Sequence, residues 1–181
     1  MGGAKPLRLF RGERLIDRAL AFARRQSDTV AVSIRRPDDL PPMGCAALVD
    51  DPGIEGPLAG VAAALAFARA AVCEAVLTLP CDLAEPPADL AEALARELSK
   101  GVGVAMAASG GRLHPACALW RPDRVLAALP DYLATGRRSL LGLAEQTGFA
   151  AVEWSVDGGD PFLNLNTPED LAAAEQPGRA P

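Results

Sequence analysis

A chain of 181 residues that is 50% hydrophobic has the length of one domain and enough apolar side chains for a sizeable core, which excludes a disordered chain. The net charge of −5 excludes a nonspecific nucleic-acid or membrane-surface binder, which would carry a basic stripe. Four cysteines without a C-x-x-C pair, and one histidine, exclude a zinc finger, a redox dithiol and a multi-histidine metal site.

The N-terminal stretch has no secretory apolar core, and no apolar run is long enough to span a bilayer, so a cytoplasmic chain is expected, with no membrane partner. Cys45, Cys73, Cys81 and Cys117 then read as small buried hydrophobes in a reducing compartment. One domain is expected over residues 1–176, followed by a disordered tail over residues 177–181.

In chain order, residues 1–6 (MGGAKP) form a glycine-containing basic loop with no strand before it, although glycine loops that approach phosphates normally follow a strand. Residues 14–25 place Leu15, Ala19, Leu20, Phe22 and Ala23 at helical spacing. TVAVSI over residues 29–34 reads as a buried strand, and residues 35–43 as a Pro- and Asp-containing loop. A short strand over residues 46–49 ends in Asp50 and Asp51. A helix over residues 57–71 follows, with Pro57 in its first turn.

Residues 75–79 read as a strand that runs through Pro80 and Cys81 into Asp82. Residues 87–100 are helical, with Leu90, Leu94 and Leu98 on one face. Then come a strand over 102–108, a Gly110-Gly111 turn, a strand over 115–120, helices over 121–129 and 139–147, a strand over 151–154 and an extended piece over 162–166. Thr167 caps a last helix, with Pro168 at its first position. The alternation from residue 14 to about residue 100 implies parallel strands with right-handed helical crossovers in a doubly wound α/β layer, and the irregular remainder implies a mixed sheet.

In open α/β sheets, ligands bind at the carboxyl ends of the strands. Asp51 and Asp82 stand at such ends, and Lys5 is on the glycine-containing loop. Carboxylates and a lysine at one edge suit a Mg²⁺-nucleotide, since Mg²⁺ takes one or two carboxylates and phosphate oxygens, and a lysine supplies a compact cation for a phosphate. Each residue keeps its plainer alternative: Asp82 and Asp51 as turn residues, Lys5 as a solvated terminal residue, Asn164 as a turn residue, His114 as structural. The helix start at Gly56, Pro57 and Gly60 offers free amides for an anion or simply close packing. Arg137 and Arg138 suit a phosphate of a second substrate or form a solvated pair. No Ser or Cys has an evident base partner, which favours direct displacement at phosphorus, catalysed by positioning and electrostatics.

Five motifs occur in order: M-G-G-x-K at residues 1–5, D-x-x-x-x-G-P-L-A-G at 51–60, L-P-C-D at 79–82, HPACALW at 114–120 and N-L-N-T-P-E-D-L at 164–171. Together they resemble the molybdenum cofactor guanylyltransferase family. The resemblance implies a Rossmann-like three-layer α/β/α nucleotidyltransferase fold with a mostly parallel mixed sheet. It implies GTP and molybdopterin as substrates, Mg²⁺ as cofactor, and molybdoenzymes or cofactor-handling proteins as partners. The terminal phosphate of molybdopterin would attack the α-phosphorus of GTP and release pyrophosphate. Lys5 would bind the GTP phosphates, Asp51 the nucleotide, and Asp82 both nucleotide and metal. Gly56, Pro57, Gly60, Arg137, Arg138, Asn164 and Asn166 would line the pterin side.

The family pattern opens with a strand and an L-A-G-G-x-S-x-R loop ahead of its M-G, a stretch not found in this sequence. Ala4 and Ser33 stand where Asp and Asn are common. A sheet without that first strand would be poorly stable and the chain weakly active, since each buried unpaired backbone group costs about 1–3 kcal/mol. An upstream extension of roughly 15–20 residues, about one strand and a loop, would be expected to restore both. Two rival readings are a sister enzyme that transfers CMP to the same cofactor and a non-catalytic scaffold that has lost its nucleotide loop.

Overall fold

The computed structural model describes residues 5–175. Residues 1–4 of the expected glycine loop over residues 1–6, the expected domain end at residue 176 and the expected tail at residues 177–181 lie outside the described residues. A short 3₁₀ turn, Lys5–Leu7, leads into a hairpin of β1 (Leu9–Phe10) and β2 (Glu13–Arg14) that the sequence pattern did not suggest. Its two-residue turn places Arg11 and Gly12 at φ 51° and 79°, the left-handed pair that matches the strand twist. Then follow α1 (Leu15–Gln26), β3 (Ala31–Ile34), β4 (Ala46–Val49), α2 (Pro57–Ala70), β5 (Val76–Thr78), α3 (Leu90–Leu98), β6 (Val104–Ser109), β7 (Arg112–Trp120), α4 (Pro122–Ala134), α5 (Leu140–Thr147), β8 (Phe149–Trp154) and α6 (Pro168–Glu175).

The main sheet has the order β5-β7-β6-β8, in which β7 is antiparallel to both neighbours and β6 is parallel to β8. Strand periodicity of two assigns its side chains to two cores. Val104 and Met106 of β6 and Ala118 and Trp120 of β7 face one cluster with Leu58 and Leu65 of α2, Val125 of α4 and Leu143 of α5. Ala105, Ala107, Cys117 and Leu119 face the other, with Phe22 of α1 and Leu90, Leu94 and Leu98 of α3. The result is the expected three-layer α/β/α sandwich. The indole N–H of fully buried Trp120 is satisfied by Thr78 Oγ1 at 2.9 Å, which ties β7 to β5.

The sheet is mixed, as expected, and lies in two pieces: β3 and β4 pair in parallel as a separate two-stranded sheet, while β5 is bonded to β7 and antiparallel to it. Three expectations are corrected. The expected buried strand over 29–34 is only Ala31–Ile34, and of its residues only Ile34 is buried. His114, expected before a strand, lies inside β7, which begins at Arg112. Of the four cysteines, all free, only Cys117 is buried. No helix among the described residues is long and apolar enough to cross a membrane.

Candidate functional site

Pro80 has no N–H to extend the ladder, so the chain leaves the sheet after β5 and turns inward at Asp82. The Asp82 carboxylate is buried, at 7% residue exposure. A carboxylate withdrawn from water needs a cation or donors, and Lys5 supplies one: its Nζ donates to Asp82 Oδ2 and, at 2.6 Å, to Asn166 Oδ1. Lys5 is set by its 3₁₀ turn, where the Arg8 N–H donates to the Lys5 carbonyl at 3.1 Å, and Arg8 Nη1 reaches the Asn166 carbonyl at 3.2 Å.

The strap from Asp160 to Asn166 closes over this strand end. The Leu165 N–H donates to the Asp82 carbonyl at 2.8 Å, the Ala84 N–H to the Leu163 carbonyl at 3.1 Å, and Leu83 bridges Asn164. A capping box then anchors the strap to α6. Asp170 Oδ2 accepts from the Asn166 and Thr167 N–H groups at 3.0 and 2.8 Å, and the Asp170 N–H donates to Thr167 Oγ1 at 3.0 Å. The Thr167 N–H bond, the largest cause, holds the Asp170 carboxyl below its usual range.

Lys5, Asp82, Asn164 and Asn166 are thus brought together. Asp51 is not joined to them: it is exposed and its Oδ1 accepts from the Gly53 N–H at 2.8 Å, closing its own turn. Its neighbour Asp50 accepts from Ser33 Oγ and links β3 to β4. Gly56 adopts φ 71° at the start of α2, a conformation glycine tolerates best, and Pro57 occupies the first helical turn. A Cβ on Gly60 would lie 2.6 Å from Ser33 Oγ, so glycine here lets α2 sit directly on β3.

Arg137 and Arg138 are not joined to Asp82 either. Arg137 pairs with Glu145 at 3.2 Å and lies 5.3 Å over the Tyr132 ring, while Arg138 Nη1 donates to the Leu133 and Arg137 carbonyls. Topology still sets their turn at the Asp82 end of the sheet. α4 leaves from Trp120, which pairs with Val76 at the opposite end, and α5 returns the chain to that opposite end at Phe149.

Two features escaped the sequence reading. A cleft of about 360 Å³ lies between α1 and the 79–86 segment, with Arg18 and Arg25 on its wall. A buried chain of hydrogen bonds joins Ser109, His114 and Asp160: Ser109 Oγ lies 2.7 Å from His114 Nε2 and donates to Asp160 Oδ1 at 2.7 Å. The lone histidine five residues after a strand-end serine was the available signal, but nothing in the sequence placed Asp160 against them.

Burial, the largest cause, and the Asp82 charge push the Cys81 thiol up, and burial pushes Cys117 up to about 12. Neither is a thiolate nucleophile at neutral pH. What the arrangement offers is a strand-end carboxylate, a lysine and a carboxamide at one point. A single such carboxylate fits Mg²⁺, which takes one or two and keeps phosphate oxygens and waters as its other ligands. Among the described residues no group of three metal-ligating side chains occurs.

Residues 1–148 match the MobA-like NTP transferase domain family. The chain is 37% identical over 180 residues to the molybdenum cofactor guanylyltransferase of Rhodopseudomonas palustris (strain BisB5), covering 97% of this chain and 86% of that one. It is 44% identical over 121 residues to the protein of the same description from Cereibacter sphaeroides (strain ATCC 17029), covering 67% of this chain. In that match the chain spans only 60% of the relative's length. Among solved structures, the molybdopterin-guanine dinucleotide biosynthesis protein A of Archaeoglobus fulgidus superposes with a TM-score of 0.69 at 19% identity, over 94% of this chain and 88% of that one. The 2-C-methyl-D-erythritol 4-phosphate cytidylyltransferase of Thermus thermophilus gives 0.69 at 21% identity, over 96% and 93%. At these identities the structural likeness speaks for the fold alone.

Proposed function

The chain belongs to the MobA-like NTP transferase domain family, and from this premise we propose that it transfers GMP from GTP to molybdopterin, releasing pyrophosphate. The observation that carries the proposal is the convergence of Lys5, Asp82 and Asn166 at the carboxyl end of β5, the edge of an α/β sheet where nucleotides bind. The relatives described as molybdenum cofactor guanylyltransferases, matched over nearly the whole chain, supply the substrate class.

A phosphate oxygen of molybdopterin attacks the α-phosphorus of GTP. The new P–O bond forms as the bond from that phosphorus to the α,β-bridging oxygen breaks, and pyrophosphate leaves with the electron pair. Mg²⁺ would be held by Asp82, and when bound it neutralises charge on the triphosphate. Lys5 turns its ammonium from Asn166 toward the phosphates, adding a fixed positive charge where negative charge accumulates. Asn166 and the α6 cap keep that lysine in place when the nucleotide is absent. Asp51, Gly56 and Gly60 form the β4–α2 rim of the same edge. Arg137 and Arg138 stand as cations at the far rim for the phosphate of the second substrate, and Asn164 lies on the pterin side beside Asp82.

Equilibrium titration with GTP and with CTP, each with Mg²⁺, tests the nucleotide. The proposal expects GTP to bind at least about tenfold more tightly, the value of one well-made hydrogen-bond difference at the base. Equal affinities would overturn the expected guanine selectivity, tighter binding of CTP would favour the cytidylyl reading, and no binding of either nucleotide would favour the scaffold reading.

A further inference from the structure

We propose that His114 is a specificity-determining residue that reads the N–H edge of a 2-amino-4-oxopyrimidine ring, the pterin of the second substrate, in the small cleft beside Asp82. The inference rests on the nucleotidyl-transfer reading above and adds to its pterin side a residue that this reading does not contain.

The cleft, about 130 Å³, is lined by Pro80, Arg112, His114, Phe162 and Asn164, among others. That volume holds the edge of a heterocycle, not a whole nucleotide. It borders Asp82 directly, since Pro80 and Leu83 flank that residue and Asn164 bridges Leu83. It lies on the β7 side of β5.

The hydrogen-bond chain fixes what His114 presents there. Asp160 Oδ1 accepts from Ser109 Oγ at 2.7 Å and from the Phe162 N–H at 2.9 Å. Ser109 has a single hydroxyl proton and gives it to the carboxylate, so its bond to His114 at 2.7 Å requires the imidazole to be the donor. His114 is therefore held as the Nε2–H tautomer, which leaves Nδ1 as an acceptor. No side chain or backbone group among the described residues bonds to Nδ1, and it is not among the sealed, unpartnered atoms. Burial and Arg112 hold the imidazole below its usual range against the opposing charges of Asp160 and Glu153, in keeping with a neutral ring. Phe162 steadies the ring plane at a centroid distance of 4.9 Å.

An acceptor open to the cleft suits the N–H edge of an aminopyrimidinone. Guanine carries the same edge, so the test separates the two sources.

The test uses His114→Phe, which keeps an aromatic ring against Phe162 and removes the acceptor, and His114→Gln, which restores a carbonyl acceptor. Binding of 6-hydroxymethylpterin is followed by its fluorescence, and binding of GTP by calorimetry. KM for molybdopterin and for GTP are measured on the same preparations, with melting curves as a check of folding. Expected are a loss of pterin affinity and a rise in KM for molybdopterin of about tenfold in His114→Phe, one hydrogen bond's worth, partial recovery in His114→Gln, and GTP affinity within about twofold of the parent. Ser109→Ala, which unlocks the tautomer, should raise KM for molybdopterin by a smaller factor. Unchanged pterin affinity in His114→Phe, a pterin that fails to bind the parent protein, or a loss confined to GTP would each overturn the proposal. A parent protein that binds pterin but never GTP would instead overturn the guanylyl reading.

Discussion

Asp82 keeps its side chain 11% exposed beside a lysine that is 34% exposed, so the pair is neither a solvated surface bridge nor a sealed core pair. Replacing the carboxylate by the isosteric amide keeps the shape and removes the charge. Asp82→Asn is expected to lower turnover by about 10²–10³-fold, the range for losing one preorganised charge at a reacting phosphate, while costing only about 1–3 kcal/mol of stability. Steady-state kinetics with a parallel denaturant melt check both, and a melt that falls with turnover intact would leave Asp82 a structural residue. At His114 burial, the largest cause, lowers the imidazole's proton affinity below the ordinary 6.5. The unfolded chain therefore takes up the proton first as pH falls. Stability from this group is complete above pH 6.5 and declines from there down through the folded value. Unfolding free energies measured between about pH 5 and 7 should show this slope in the parent and a flatter profile in His114→Phe.

Among the elements, α2 shows how a motif can be structural and functional together. Gly60 belongs to the G-P-L-A-G signature, yet a Cβ there would meet Ser33 Oγ at 2.6 Å. Gly60→Ala should therefore lose stability and weaken the β3–α2 contact, and Ser33→Ala in the same chain should restore most of the loss because it removes the clashing hydroxyl. If Gly60→Ala in the Ser33→Ala background melts like the parent yet remains inactive, the glycine serves the ligand as well as the packing. The α6 cap makes a separate prediction. Asp170 is held below its usual 3.8 by the Thr167 and Asn166 amides, so its contribution is present above the unfolded value and vanishes as pH falls through the folded one. Asp170→Asn should melt below the parent at neutral pH, and the gap should close as the pH drops under 3.8. A constant gap across that range would mean the carboxylate charge is not what holds the strap.

At the scale of the molecule, most elements were legible because the sequence alternates periods cleanly. Leu90, Leu94 and Leu98 repeat every fourth residue and all are buried on one face of α3, and the T-P-E-D sequence announces the cap of α6. Leu65 of α2, fully buried between helix and sheet, is expected to cost about 2–5 kcal/mol when cut to alanine. The β1–β2 hairpin went unread because two-residue strands carry no period. The sheet order was not legible, because alternation of strand and helix does not say which strands pair, and β5 pairs with β7. Lys5 and Asp82 were legible as part of one edge, although Asp51, read with them, closes its own turn instead and Asn166 joins them unforeseen; the Ser109–His114–Asp160 chain was not legible, because contacts between three distant segments leave no local pattern. The most direct test of the whole account is pyrophosphate release by the protein mixed with GTP, Mg²⁺ and molybdopterin. Release that requires all three, fails with CTP and is lost in Asp82→Asn is the predicted result; release that persists in Asp82→Asn, or that CTP supports equally, would contradict it.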